Sequence, residues 1–146
     1  MNGRGLDRFV VAQNRGGIYR QALAELKAGA KRSHWMWFVF PQLAGLGTSP
    51  TAQFYGIAGL DEARAYLAHP ELAERLHTVT AAMLAWAGRT SAEAILGGVD
   101  ARKLRSAMTL FEAAAGGEEA APFAAVLDAF CDGERDPATL ALLRRG

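Results

Sequence analysis

A run of polar groups set directly against large apolar side chains spans residues 31–42. It begins with two cations, a hydroxyl and an imidazole, and continues through six apolar residues that include two of the three tryptophans. Lys31 and Arg32 could hold a phosphate or carboxylate, and Ser33 with the free amides of a helix start would assist them. His34 could act as a catalytic acid or base, because its side chain titrates closest to neutral pH. Polar groups beside a dry aromatic wall are typical of a ligand pocket, but a core segment with a basic lead-in has the same pattern.

The aromatic part of this run has two interpretations. Trp35 and Trp37 could stack a flat ring of a ligand, and they could equally be large side chains that fill the core. His34 likewise could be a histidine that is hydrogen-bonded at the edge of the core. The run is apolar on every side, so its periodicity does not separate a buried helix from a buried strand. We favour a short helix that Ser33 caps and Pro41 ends.

A second polar cluster lies at residues 100–106. On a helix that begins there, Asp100 and Lys103 stand one turn apart at the edge of the apolar stripe, while Arg105 and Ser106 point away from it. A charge at that edge either reaches solvent or lines a pocket. Asp100 could move a proton, or it could be the N-cap of the helix. Lys103 has Asp100 as its only local partner, so Lys103 is a candidate anion-binding residue.

Several other chemistries are excluded by residue types and spacing. One cysteine and three dispersed histidines give no zinc-binding pattern. The chain has no glycine-rich dinucleotide fingerprint and no Walker loop. We therefore predict no metal and no cofactor. Cys131 lies in an apolar helical context, where a buried and inert thiol is expected.

Composition predicts one soluble intracellular domain that covers residues 1–146. Hydrophobic residues make up 51% of the chain and charged residues 21%, as in globular proteins. No signal peptide or membrane-spanning run is apparent, and a single cysteine suits a reducing cytoplasm. Residues 1–42 carry a net charge of +5 and the remainder −4. This asymmetry favours a small anion as partner, and the spread of the cations argues against nucleic acid. Scattered, solvated charges would give the same asymmetry.

Apolar spacing predicts helices almost throughout, in a compact all-α bundle of about seven to nine short helices. Stripes at steps of three and four recur along the chain. Gly29 is placed as a helix C-cap, His69-Pro70 as a helix boundary, and Asp136-Pro137 as the start of the last helix. Thr90 with Glu93 matches a capping box. Residues 43–50 read as a loop, and a short helix is expected around residues 52–57.

The two polar segments resemble those of the domain of unknown function 1810 family. The resemblance rests on residues 31–42 with Gly45-Leu46-Gly47 after them, on residues 62–70, and on Asp100-x-x-Lys103-Leu104-Arg105-Ser106. It spans about residues 6–143 and implies an all-helical bacterial, cytoplasmic protein. Relatives sometimes carry a calpastatin label, which a half-apolar chain argues against. The family's motif positions also add Gln42 and Ser106 to the candidate ligand-binding residues.

Two hypotheses from different classes follow. In the first, the protein binds or acts on a small anionic, nucleotide-like metabolite. The ligand-binding residues would be Lys31, Ser33, Trp35, Trp37, Gln42, Lys103 and Ser106, and the catalytic residues would be His34 and Asp100. In the second, it is a non-enzymatic adaptor or structural module whose aromatic run is plain core. The first requires that the two polar segments meet around a common hollow.

Overall fold

The computed structural model describes residues 5–145, and the first half of this part forms five helices around long connections. Helix α1 is followed by a 3-10 turn at Arg15–Gly17, and α2 ends at Gly29, whose φ of +74° places it in the left-handed region. That conformation favours glycine and confirms the predicted C-cap. The helices are α1 (Asp7–Asn14), α2 (Ile18–Ala28), α3 (Met36–Val39), α4 (Pro50–Tyr55) and α5 (Leu60–Ala68).

The second half supplies the longer helices. A 3-10 turn lies between two of them, at Gly117–Ala120. The helices are α6 (Pro70–Leu84), α7 (Ala92–Leu96), α8 (Gly98–Ala115), α9 (Ala121–Phe130) and α10 (Pro137–Arg145). Helix α8 packs against α5, α7, α9 and α10. Its buried stripe includes Leu104, Met108 and Phe111, none of which is exposed to solvent.

The all-α class is confirmed. Residues 5–145 contain ten α-helices and no β-strand, with a single parallel bridge between Leu43 and Ile57. The count is one above the predicted seven to nine and includes α3, which is only four residues long. None of the helices in this part combines the length and hydrophobicity that a membrane-spanning segment needs. The predicted domain covers residues 1–146, of which residues 1–4 and 146 lie outside the described part. Residues 1–4 are also most of the N-terminal segment for which no signal peptide is predicted.

Helix ends test the predicted caps. His69 accepts a hydrogen bond from the Leu72 amide at 3.2 Å, with Pro70 as the first residue of α6, as expected. Asp136 accepts from the Thr139 amide at 3.1 Å and caps α10, also as expected. The prediction of a Thr90 cap is wrong, because the hydroxyl of Ser91 accepts the Ala94 amide at 3.0 Å.

Two predicted caps in the polar segments are also wrong. Helix α3 begins at Met36 and has no side-chain cap, since the Ser33 hydroxyl bonds elsewhere. Helix α8 begins at Gly98, and its N-cap is Gly97, at a φ of +88°. Asp100 therefore lies inside the first turn of α8. From there its side chain is free to pair with residues of another segment.

Candidate functional site

The segment between α2 and α3 passes beside the start of α8. It leaves the glycine that ends α2, and the Lys31 amide donates to the carbonyl of Ile95 in α7 at 2.8 Å. This contact holds residues 31–35 next to the α7–α8 junction, where Asp100 and Lys103 begin their helix. The two polar segments are therefore adjacent in the fold.

Glu25, on the buried face of α2, organises this segment. One carboxylate oxygen accepts from the Arg32 amide at 2.9 Å, the Ser33 amide at 3.1 Å and Trp35 Nε1 at 2.9 Å. The other accepts from the Ser33 hydroxyl at 2.7 Å and from Gln21 Nε2 at 3.1 Å. We call these five residues the Glu25 cluster. Their hydrogen bonds fix the path of the chain into α3.

The hydrogen bonds also set the ionisation of Glu25. Its burial alone would raise the pKa of the carboxyl group, but the donors from Ser33, Arg32, Trp35 and Gln21 outweigh this effect. The result is a pKa lowered from 4.5 to about 2. Five hydrogen bonds to one carboxylate favour the charged form, which keeps Glu25 ionised at neutral pH.

Asp100 bridges the two lysines. Its Oδ2 lies 2.9 Å from Lys31 Nζ and its Oδ1 lies 3.7 Å from Lys103 Nζ. The Lys31 side chain is only 8% exposed, and its ammonium also donates to the Ser33 carbonyl and lies 5.0 Å from the centre of the Trp35 ring. Lys31 is thus fully engaged by the protein. Lys103, with the longer ion pair and 24% of its side chain exposed, is the looser of the two.

Lys103 covers a small cleft over Trp37. Its ammonium lies 4.6 Å from the centre of the indole ring, a cation–π contact. The cleft holds about 10 Å³ of free space, which is about the least that a cavity needs to hold one water molecule. We call it the Lys103 cleft; its lining residues are Met36, Trp37, Phe40, Gln42, Ala52, Tyr55 and Lys103.

The far wall of the cleft depends on a close approach of two chain segments. A Cβ atom on Gly47 would lie 2.6 Å from the Cβ of Ala52. Only glycine at position 47 lets the loop pass this near to α4, which carries Ala52 and Tyr55. The Tyr55 ring is held by Phe9, Phe38 and Phe54, at centre-to-centre distances of 5.9, 5.4 and 4.8 Å.

Two residues of the cleft carry a side-chain polar group that has no hydrogen-bond partner among the described residues. Among residues 5–145, neither the side-chain amide of Gln42 nor the hydroxyl of Tyr55 forms a hydrogen bond, while both residues line the cleft beside Lys103. These groups are not sealed from solvent, because no buried side-chain nitrogen or oxygen in the described chain lacks a partner. The residues that line the cleft thus carry an ammonium, an amide and a hydroxyl group, together with the indole of Trp37.

Residues 3–143 match the model of a family described as a protein of unknown function, DUF1810. The chain belongs to this family. The resemblance noted in the two polar segments is thereby confirmed over nearly the whole length of the chain.

A solved structure shows the same fold. The crystal structure of the conserved hypothetical protein Rv1873 from Mycobacterium tuberculosis is 47% identical in sequence, with a TM-score of 0.90. The match covers 98% of this chain and 99% of that one. No curated protein matches the chain. The similarity supports the helical arrangement described above and carries no activity with it.

The other predicted site residues lie outside the cleft. His34 is exposed, and in the described part of the chain its imidazole has no hydrogen bond or ion pair. Trp35 is completely buried within the Glu25 cluster. Ser106 donates to Asp136 at 3.0 Å, on the side of α8 that faces α10. The catalytic and ligand-binding roles predicted for these residues remain predictions.

Sequence reasoning missed Glu25 and assigned no site role to Tyr55. Glu25 follows the buried Ala22 by three residues and precedes the buried Leu26, so a carboxylate stood on the apolar stripe of α2. That placement was the available signal, because a buried acid requires hydrogen-bond donors. Tyr55 carried no comparable signal, since its role depends on how α4 folds back onto α3.

A larger hollow of about 670 Å³ lies elsewhere, between α10 and the start of α5. Leu43, Leu60, Leu142 and Leu143 form apolar walls, with Arg64 at the rim. Its size is within the ordinary range of ligand pockets. None of the residues predicted for the site lines it, so it is separate from the Lys103 cleft.

Proposed function

We propose that the protein binds a small anionic, nucleotide-like metabolite at the Lys103 cleft. The observation that carries the proposal is that Gln42 and Tyr55, whose side-chain polar groups have no hydrogen bond among the described residues, line the same cleft as Lys103. Ligand sites place a few convergent polar groups against apolar or aromatic walls. Polar side chains with no partner in the protein are available to bind a ligand, and here they share one cleft with the indole of Trp37.

The charges at the cleft support an anion. Two lysines pair with one aspartate, so this ion-pair group has one ammonium more than it has carboxylates. Because Lys31 binds Asp100 at 2.9 Å and Lys103 only at 3.7 Å, the excess charge belongs to Lys103. A ligand phosphate or carboxylate would give Lys103 a closer partner than it has in the protein alone.

The proposal concerns binding. Asp100 already forms ion pairs with two ammonium groups, and His34 does not line the cleft. Proton transfer by either residue is a further hypothesis, which would require that the bound ligand reach beyond the cleft to the imidazole.

A thermal-shift screen with nucleotides, ADP-ribose and sugar phosphates tests the proposal. A ligand present at 100 times its dissociation constant should stabilise the fold by about 2.7 kcal/mol. Lys103→Ala should abolish this stabilisation. Arg102→Ala is the matched control, since it removes the neighbouring exposed cation of α8 and does not touch the cleft.

Two outcomes would contradict the proposal. One is a panel in which no compound stabilises the wild-type protein. The other is an equal loss in the Arg102→Ala and Lys103→Ala variants, which would indicate a diffuse electrostatic effect. Either result would favour the alternative function, a non-enzymatic adaptor. Exposed apolar residues such as Val99, 59% exposed beside Asp100, would then be the first surface to test for a protein partner.

A further inference from the structure

The closed state of the Lys103 cleft restricts what can enter it. We infer that its ligand is an aromatic anion and that Lys103 selects this ligand by charge: the anion draws the ammonium off Trp37, and the aromatic ring takes its place on the indole. The inference rests on the proposed function, because it names the ligand class for the same cleft.

The first step is steric. About 10 Å³ of space admits no ring, so part of the wall has to move. Met36 and Phe40 are 1% exposed and belong to the core. Tyr55 is packed by three aromatic rings. Lys103 has a long, unbranched stem and a partly exposed charged end, and it is the lining residue whose ammonium lies on the indole face. It therefore has to move before a ring can stack there.

The second step concerns what holds Lys103 in place. Its ammonium contacts the Trp37 ring at 4.6 Å and Asp100 at 3.7 Å. Departure of Lys103 does not leave the carboxylate unpaired, because Lys31 stays at 2.9 Å. The covering contact is therefore weak and can be exchanged for another.

The third step is the comparison of charged and neutral ligands. An aromatic anion replaces both contacts, since its ring stacks on the indole and its acid group pairs with the displaced ammonium. A neutral ring of the same shape stacks equally well but gives the ammonium no new partner. An aliphatic anion pairs with the ammonium and leaves the indole face uncovered. Charge and ring are thus both required while Lys103 is present.

Small probes of matched shape test the inference. Benzoate and benzamide share a ring and differ in charge, phenyl phosphate replaces the carboxylate with a phosphate, and acetate lacks the ring. Binding is followed by the indole N–H resonance of Trp37 in ¹H–¹⁵N spectra. Trp37→Phe identifies that resonance among the three tryptophans of the chain. We expect benzoate and phenyl phosphate to bind the wild-type protein at least ~10-fold more tightly than benzamide or acetate, equivalent to ~1.4 kcal/mol.

Removal of the lysine should abolish the discrimination. In Lys103→Ala, benzamide should bind about as tightly as benzoate. No side chain then covers the indole, and no ammonium is present to pair with the carboxylate of benzoate. Lys103→Gln keeps a long polar chain without the charge, so it should also lose the preference for benzoate. Arg102→Ala should keep the wild-type pattern, and the dispersion of each spectrum shows whether the variant is folded.

The inference is overturned if benzamide binds the wild-type protein as well as benzoate, if Lys103→Ala retains the preference, or if neither benzoate nor phenyl phosphate moves the Trp37 resonance. Any of these can occur while a nucleotide or sugar phosphate still stabilises the wild-type protein through Lys103. In that case the proposed function stands and the ligand class is wrong. When the thermal-shift panel is also silent, the proposed function fails with it.

Discussion

The Glu25 cluster and the Lys103 cleft both include residues of the 31–42 segment. They differ in whether the protein itself supplies hydrogen-bond partners for their polar groups. In the Glu25 cluster, five donors meet one carboxylate within the protein. In the Lys103 cleft, the amide of Gln42 and the hydroxyl of Tyr55 have no partner in the described chain, and the ammonium rests on an indole face. Polar residues embedded in an apolar motif can therefore serve either the fold or a ligand.

The two lysines that pair with the Asp100 carboxylate also differ in how firmly the protein holds them. Lys31 and Lys103 both pair with Asp100, but the Lys31 side chain is 8% exposed and that of Lys103 is 24% exposed. A buried charge that loses its partner is costly, whereas a loosely held charge near solvent contributes little. Substitutions in the two regions should consequently differ in size and in kind.

The largest effect is expected from Glu25→Ala. This change leaves two backbone amides, the Ser33 hydroxyl and the buried Trp35 indole without their acceptor. Because each buried donor left unpaired costs about 1–3 kcal/mol and water can reach some of them, we expect a loss of about 3–5 kcal/mol of unfolding free energy. Urea denaturation measures it. A loss below about 1 kcal/mol would show that the cluster does not hold the segment.

The contribution of Glu25 should also depend on pH. Its pKa is about 2 in the folded chain and 4.5 in its ordinary state, so folding favours the ionised form. The contribution is complete above the ordinary pKa and is lost as the pH falls through 4.5 toward 2. The difference in unfolding free energy between wild type and Glu25→Gln should therefore shrink on acidification. A difference that stays constant down to about pH 3 would contradict this assignment.

Lys31→Met comes next. Methionine keeps the apolar stem but removes the ammonium from Asp100, the Ser33 carbonyl and the Trp35 ring. Breaking a buried pair typically costs about 3–5 kcal/mol, but Lys103 can move toward the abandoned carboxylate, so we expect about 2 kcal/mol. Denaturation of Lys31→Met, Asp100→Asn and the double variant gives the coupling energy. Additive single losses would mean that the short ion pair contributes nothing of its own.

Ser106→Ala should have a smaller effect, at a third location. The Ser106 hydroxyl donates to Asp136 at 3.0 Å, and Asp136 caps α10 through the Thr139 amide. Burial raises the pKa of Asp136, and the bonds from Thr139 and Ser106 outweigh this and lower it. Asp136 keeps its other donors, so the loss should be about 1 kcal/mol. Unchanged binding of any ligand of the Lys103 cleft in Ser106→Ala would place Ser106 in the fold alone.

The helical stripes were predictable because they are local. The predicted helix boundary at His69-Pro70 matches the end of α5 and the start of α6, since apolar spacing and proline act within a few residues. Ser33 was predicted as a cap and is instead a partner of Glu25, eight residues away. Whether a serine hydroxyl bonds a helix-end amide or a distant carboxylate depends on tertiary contacts. The spacing of apolar residues does not predict those contacts.

The candidate site was predictable in part for the same reason. Asp100 and Lys103 are one helical turn apart, so their pairing follows from spacing. The approach of Lys31 depends on the turn after α2, and the free groups of the cleft depend on α4 folding back at Gly47. Neither of these contacts can be recognised from the residue types around Lys31 or around the residues that line the cleft. The sequence therefore identified the polar segments and left undecided which of their residues serve the fold.

Lys103→Ala should have the smallest effect on stability and the largest on binding. The lysine has a loose ion pair and a cation–π contact, and Asp100 keeps Lys31, so the loss should be below about 1 kcal/mol. The measurement is the same urea titration used for Lys31→Met, with Arg102→Ala as control. If Lys103→Ala destabilises the protein as much as Lys31→Met does, both lysines serve the fold and the contrast between the two regions disappears. If stability is kept while the cleft loses its anion preference, Lys103 is placed for a ligand.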